Sequence, residues 1–462
     1  MTTKRLLIAS ALLAACSNPP TTPDASDART DSRTDATAQD TGVDTGSSDT
    51  GVITDSGVEI DSGADPGVVV DSGIDSGVVT DSGVAIDART DSGVAADVAD
   101  ARTDSGVIAP DSGVIPPDGG PSARELWMLR VGVGAEALSN ASTALFIERR
   151  SASDGAMRGA NIALPTAASG ANQPITLSGT ATSEGALLRS TDGRFVTFAG
   201  YGTAPGLASV ASSASTMVPR VVARVAGAGT VDTRTTLGTA YTGNNVRSAF
   251  TTDGSAFWIG GTGSPGGVHY QLLGATTEPV NVLAMPSNIR TVSIFEGQLF
   301  ATASTSTPAP GWYGVLRVGS SAPTTAGASA TLESGFSMTS GPSPYGFVAF
   351  DRSPSVTGVD VMYVADDRAP ASGGGVQRWS RATSAGAWTL DATFNTGITA
   401  GVRGLAAWLE GTSVVLVAVT GENPSRVVRF DDVAGSMPGM AVVLATAAAN
   451  TQYRGVALAP TP

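Results

Sequence analysis

From about Ala123 onward, short apolar runs alternate with clusters of Gly, Ser, Thr and Pro, and no stretch keeps a helical period of hydrophobicity. Strand-length runs at short spacing with turn signals between them predict an all-β domain, as a sandwich, a barrel or a propeller. Self-alignment chooses among these. An opening run recurs as "GALLRS" at 185, "VRSAFTT" at 246, "IRTVSIF" at 289, "YGFVAF" at 345 and "VRGLAAWL" at 402. Each is followed by a second run ("RFVTFAGYG", "SAFWIGGTG", "QLFATAS", "VDVMYVADD", "SVVLVAVTG") and a third ("PRVVARVAG", "GGVHYQLLG", "WYGVLRVG", "GGVQRWSR", "SRVVRFDD"). A period of roughly 40 to 60 residues with four strand-like runs per unit fits a four-stranded propeller blade.

The two ends of this region complete the count. "YRGVALAP" at 453–460 begins a unit that lacks later strands, whereas "LWMLRVG" at 126–132, "TALFIERRSA" and "MRGANIAL" at 157–164 are three strands without an opener. Joined in one sheet they form a composite blade that closes the ring and removes its free edges. Five internal openers plus this blade predict a single six-bladed β-propeller over residues 123–462. Two of its hairpins contain Asp192-Gly193 and Asp253-Gly254, the dipeptide expected in tight primed turns, so these aspartates are read as turn residues.

The N-terminal third is of another kind. Lys4 and Arg5 precede the apolar run "LLIASALLAA", too short to span a bilayer, which reads as a secretory signal over residues 1–15. Its end, "LAAC", resembles the lipobox of bacterial lipoproteins. That resemblance implies cleavage before Cys16, lipidation of this single cysteine, and, with Ser17 rather than Asp following, retention at the outer membrane. Acyl chains contribute roughly 0.8 kcal/mol per buried CH₂, so such an anchor would need no spanning helix.

Residues 16–122 form a linker rich in Asp, Ser, Gly, Thr, Val and Ala, with "DSGV" as its repeated element and no aromatic residue. Little can be buried against the entropy of ordering it, and it is expected to be a disordered tether. Its 21 acidic and four basic residues hold the whole acidic excess of the chain, whose net charge is −14. The domain that follows is close to neutral. A flexible segment of this length reaches roughly 50 to 60 Å, further when charge extends it.

The region from 126 to 460 resembles propeller domains of uncharacterised bacterial surface lipoproteins. The stretches that carry this are "LRVGVGAEALSNASTALFIE", "IALPTAASGANQPITLSGTATSEGALLRS" and "YRGVALAP". The resemblance implies a fold and a location and brings no reaction with it.

Catalytic ingredients are sparse. His269 is the only histidine and sits at a third-strand position without a GxSxG elbow, so a strand role is expected for it rather than a Ser-His-Asp one. One histidine and one cysteine cannot make a usual zinc site, and Lys4 is the only lysine, which removes Schiff-base and P-loop chemistry from the domain. The pairs Asp366/Asp367 and Asp431/Asp432 are expected to be solvated loop starts rather than a proton-sharing or calcium site. Trp127, Trp258, Trp312, Trp379, Trp388 and Trp408 are expected to pack between blades rather than line a glycan surface. Arginines without a basic run give nucleic acid no footprint. The function expected is a monomeric, membrane-anchored, non-enzymatic binding or scaffold module for a protein, peptide or glycan, with no required cofactor and a structural calcium ion as the one candidate. The alternative is a calcium-assisted hydrolase or lyase working at the central channel.

Overall fold

The computed structural model describes residues 124–461. The signal, Cys16 and the acidic linker lie outside the described residues. Within them the chain forms six four-stranded antiparallel sheets and one two-stranded pair, with only two 3₁₀ turns, Val210–Ser212 and Pro370–Ser372. Blades 2 to 6 are each built from consecutive strands. Their innermost strands are Leu188–Arg189, Val246–Phe250, Ile289–Phe295, Pro344–Phe350 and Val402–Glu410.

Blade 1 is the composite one: Gln452–Leu458 lies innermost, followed by Glu125–Val131, Leu145–Ser151 and Ile162–Ala163. Leu126 opposes Leu458, Met128 opposes Val456 and Val131 opposes Gln452. The innermost strands of neighbouring blades touch all the way round, including blade 6 to blade 1 and blade 1 to blade 2, so the ring is closed. The expectation of six blades, sealed by pairing of the two ends of the folded region, is met.

Every sheet is buried on both faces, which accounts for runs that look continuously apolar rather than alternating. Along Glu125–Val131, Leu126 and Met128 pack against blade 6 beside Trp408, Val415 and Val417. Trp127, Leu129 and Val131 point the other way, onto Val196, Phe198 and Val221 of blade 2. Along Ser413–Thr420 the same period of two sends Val414, Leu416 and Ala418 to blade 5 and Val415, Val417 and Val419 to blade 1. Side chains of successive residues on a strand leave opposite faces, so a strand between two neighbours must be apolar at both parities.

Three local readings differ from the structure. The run 157–164 contributes only Ile162–Ala163 to the sheet, with an isolated bridge from Met157 to Arg150, because Gly159 at φ 138° breaks it. The opener at 185 pairs only over Leu188–Arg189. The Asp-Gly hairpins are not primed two-residue turns. Gly193 and Gly254 take positive φ (75° and 83°) while the aspartates do not. Asp192 instead accepts from the Arg194 amide, and Asp253 from the Ser255 amide, in local Asx-type bonds.

Truncating the chain after residue 451 removes the innermost strand of blade 1 and with it Tyr453, Val456 and Ala457 from the core. We expect loss of a cooperative thermal transition, followed by circular dichroism. A truncated chain that melts as sharply as the full one, and within a few degrees of it, would show that closure is dispensable.

Candidate functional site: an arginine collar

Aligning the six innermost strands by structure places Arg454, Arg247, Arg290, Tyr345 and Arg403 of blades 1, 3, 4, 5 and 6 at an equivalent point near the strand start, and in blade 2 the turn residue Glu184, just ahead of Leu188–Arg189, takes the corresponding place. In five blades the ladder to the second strand slips at this point. Arg247, Arg403 and Arg454 are each the extra residue of a β-bulge, and one extra residue also falls within Arg290–Thr291 and within Tyr345–Gly346. A bulge frees one residue from the ladder and re-aims its side chain, here repeatedly around the ring.

The residue after each is small (Gly455, Gly185, Ser248, Thr291, Gly346, Gly404) because adjacent innermost strands nearly touch. A Cβ on Gly455 would stand 2.4 Å from the Leu187 amide nitrogen and 2.5 Å from the Gly185 carbonyl oxygen. Close backbone approach thus fixes the small residue, and the bulge before it supplies the long one.

The six side chains link blade to blade. Arg454 donates to the carbonyls of Ser178 (3.2 Å) and Gly179 (2.7 Å), on the segment leading into blade 2. Glu184 accepts from Asn245 at the entry to blade 3, and from Tyr201 and the Ser178 amide. Arg247 donates to Asn288 and to the Ile289 carbonyl of blade 4. Arg290 donates to Ser343 (2.7 Å) and the Pro344 carbonyl (3.2 Å) of blade 5 and lies 4.2 Å over the Tyr345 ring. Arg403 lies 5.3 Å over the same ring and pairs with Asp367 at 3.0 Å.

The electrostatics are those of a cationic aperture. Burial lowers the Arg247 pKa, and the proximity of Arg290 lowers it further, while Tyr345, two blades on, acts in the opposite sense. Burial brings Arg454 down to about 10, with Glu184 opposing this and Arg403 reinforcing it. Burial also raises the pKa of Glu184, whose oxygens are spent on neutral donors. Bonds across neighbouring blades of a closed ring place these groups around one axis. Strand direction puts the collar at the face that also carries the loops between second and third strands and the blade-to-blade crossovers.

The other residues singled out in the sequence are structural. Asp366 and Asp432 are not solvated loop starts. Asp366 is fully buried and pairs with Arg368 at 2.9 Å, and Asp432 pairs with Arg378 at 2.8 Å and accepts from Tyr363. Asp367 serves Arg403 and Asp431 serves Arg429, so neither adjacent pair converges on one point. Among the described residues no three His, Cys, Asp or Glu side chains gather as a metal site. Trp127, Trp258, Trp379, Trp388 and Trp408 are buried between blades, whereas Trp312 is half-buried and donates to the Pro308 carbonyl.

His269, 1% exposed, shares a 2.9 Å hydrogen bond between Nδ1 and the Tyr241 hydroxyl, with the rings edge to face at 4.8 Å. Sequence reasoning missed the collar, although its signal was present. Four of the six opening runs carry an arginine at the same column, followed by Gly, Ser or Thr.

No family model matches this chain, and no curated protein does. Among solved structures it is similar to a 6-phosphogluconolactonase-like protein from Bacteroides uniformis (15% identity, covering 70% of this chain and 82% of that one, TM-score 0.38). It is also similar to TolB from Acinetobacter baumannii (10%, 74% and 68%, TM-score 0.43) and to the periplasmic gluconolactonase of Pseudomonas aeruginosa (14%, 70% and 83%, TM-score 0.36).

Burial depresses the His269 pKa from 6.5 to about 4. A folded-state pKa below the unfolded one gives stability that is complete above pH 6.5 and is lost as pH falls through 4, about 3 kcal/mol in all. His269→Gln should flatten urea-unfolding stability between pH 6.5 and 4 relative to the unaltered protein. Parallel pH profiles for the two would contradict the assignment.

Proposed function

We propose that this chain is a binding module displayed at the cell envelope, taking a negatively charged portion of a protein, peptide or glycan at the collar face of its propeller. The observation that carries the reading is the repeated placement of arginine on bulged innermost strands around one axis. Arg247, Arg290 and Arg454 have no ion-pair partner among the described residues, and Arg403 has one. Four guanidinium groups around an aperture focus a positive field that draws anions and repels divalent cations. Around them the second-to-third-strand loops differ in length, from 262–266 in blade 3 to 202–219 in blade 2. A rigid ring carrying variable loops is suited to recognition.

A calcium-assisted hydrolase or lyase would need carboxylate and amide oxygens where the collar presents arginines, and no specific observation favours it. Display belongs to the same proposal: Cys16 carries the lipid, and the acidic segment holds the propeller away from the outer membrane.

The charge reading is tested with poly-L-glutamate, alginate and neutral dextran as probes in surface plasmon resonance. A polyanion should bind, weaken with added salt, and weaken at least tenfold in Arg247→Gln/Arg290→Gln, while dextran should not bind. Equal binding by the variant and the unaltered protein would overturn it. Display is tested by growth with an alkyne-tagged fatty acid. The full chain should incorporate the label and Cys16→Ser should not; label retained in that variant would reject Cys16 as the anchor.

A further inference from the structure

Arg454 is 4% exposed, yet its Nε and Nη1 have no hydrogen-bond partner, and the buried Nε of Arg247 has none either. All the acceptors these two side chains do engage are neutral: the Ser178 and Gly179 carbonyls for Arg454, the Asn288 amide oxygen and the Ile289 carbonyl for Arg247. Arg290 is in the same position, bonded to the Ser343 hydroxyl and the Pro344 carbonyl.

The carboxylates near the collar do not balance these charges. Asp367 is committed to Arg403. Glu184 is buried, its Oε1 taken by Tyr201 and Asn245 and its Oε2 by the Ser178 amide. It bonds to no guanidinium, and it is one acid facing three arginines. An uncompensated charge held out of water costs several kcal/mol, and orphaned N–H donors add to that cost. Arg454 is such a group, and the half-buried Arg247 and Arg290 add positive charge around the same ring, so the collar is short of counter-charge.

We infer that the central channel, at the level of Arg454 and Arg247, is a binding site for a single small oxyanion group, a carboxylate, phosphate or sulfate, with Arg290 and Arg403 beside it. The inference rests on the proposed collar reading and names the chemical group that collar admits. The open donors, Nε and Nη1 of Arg454 and Nε of Arg247, suit an acceptor with two or three oxygens, since guanidinium groups bind such anions through paired N–H bonds. Glu184 borders the site without closing it. Its negative charge favours a group that enters singly over a polyanion threading the channel. The depressed pKa values of Arg454 and Arg247 are what burial without a paired anion produces.

The experiment measures thermal unfolding of the full chain in sodium phosphate, sulfate, acetate and chloride at matched ionic strength, with isothermal titration of inorganic phosphate and of acetate alongside. The expected result is a rise in Tm of about 5 °C, over that in chloride, for at least one oxyanion near a hundredfold excess over its dissociation constant. A response to phosphate and sulfate alone assigns a tetrahedral group; a response to acetate assigns a carboxylate. In Arg454→Met this specific increment should vanish, leaving only the general salt effect shared by all four anions.

Should Arg454→Met not fold, Arg247→Gln serves, and its titration with the effective anion should weaken at least tenfold. Equal increments in the unaltered protein and the folded variant, or no heat with any oxyanion, would overturn the internal site. Polyanion binding lost in Arg247→Gln/Arg290→Gln would still stand in that case, so failure here is distinguishable from failure of the collar reading.

Discussion

The antiparallel pairing of Gln452–Leu458 with Glu125–Val131 is the interaction on which the rest of this molecule depends. A ring of blades without it has two free sheet edges and one interblade face bare on each side of the gap. Residues over three hundred positions apart must meet before the blade 1 interfaces exist, and the same strand carries Arg454 into the collar. Tyr453, beside it, donates to Glu148 on the third strand of the same blade, so closure is made by backbone ladder, core packing and polar contact together. Closing so long a loop is entropically costly, and the reward comes from burying both faces of the blade at once.

Once the ring is closed, crowding at its axis decides what else is possible. Innermost strands of adjacent blades approach until the Cβ of Gly455 would collide with blade 2 backbone. Small residues satisfy that approach, and a bulge just before them throws a long side chain inward. The collar is therefore a by-product of ring geometry that the sequence has filled with charge. Leucine or valine at those six columns would seal the aperture and bury apolar area. Arginine in four of them forgoes that stabilisation and accumulates cations, a cost that local packing does not repay and that a bound anion would.

Elsewhere, several buried carboxylates are paired. Asp366 with Arg368, Asp432 with Arg378 and Tyr363, and Glu333 with Arg317 and Trp388 each satisfy a buried carboxylate with a guanidinium. His269 and Tyr241 are bonded to each other within the core between blades 2 and 3, with the buried Nε2 of His269 left without a partner. Against that background Arg454, Arg247 and Arg290 share with the fully buried Arg220 a set of purely neutral acceptors, and differ from it in standing together on the innermost strands of the ring.

The sequence alone determined the architecture: a repeat of four strand-like runs, a final opener and three orphan strands suffice to specify six blades and their closure, because strand periodicity and blade length are local properties. It also located the structural roles of His269 and of five tryptophans, since burial between sheets follows from an apolar strand context. It misjudged Asp366 and Asp432, whose guanidinium partners come from an adjoining loop residue and from the third strand of the neighbouring blade and do not reveal themselves by spacing. The collar was half legible: the arginine column stands in the aligned repeats, but its meaning does not. Whether six residues scattered over 270 positions converge, and whether each finds a carboxylate when it gets there, is settled only when the ring closes and sets their common axis.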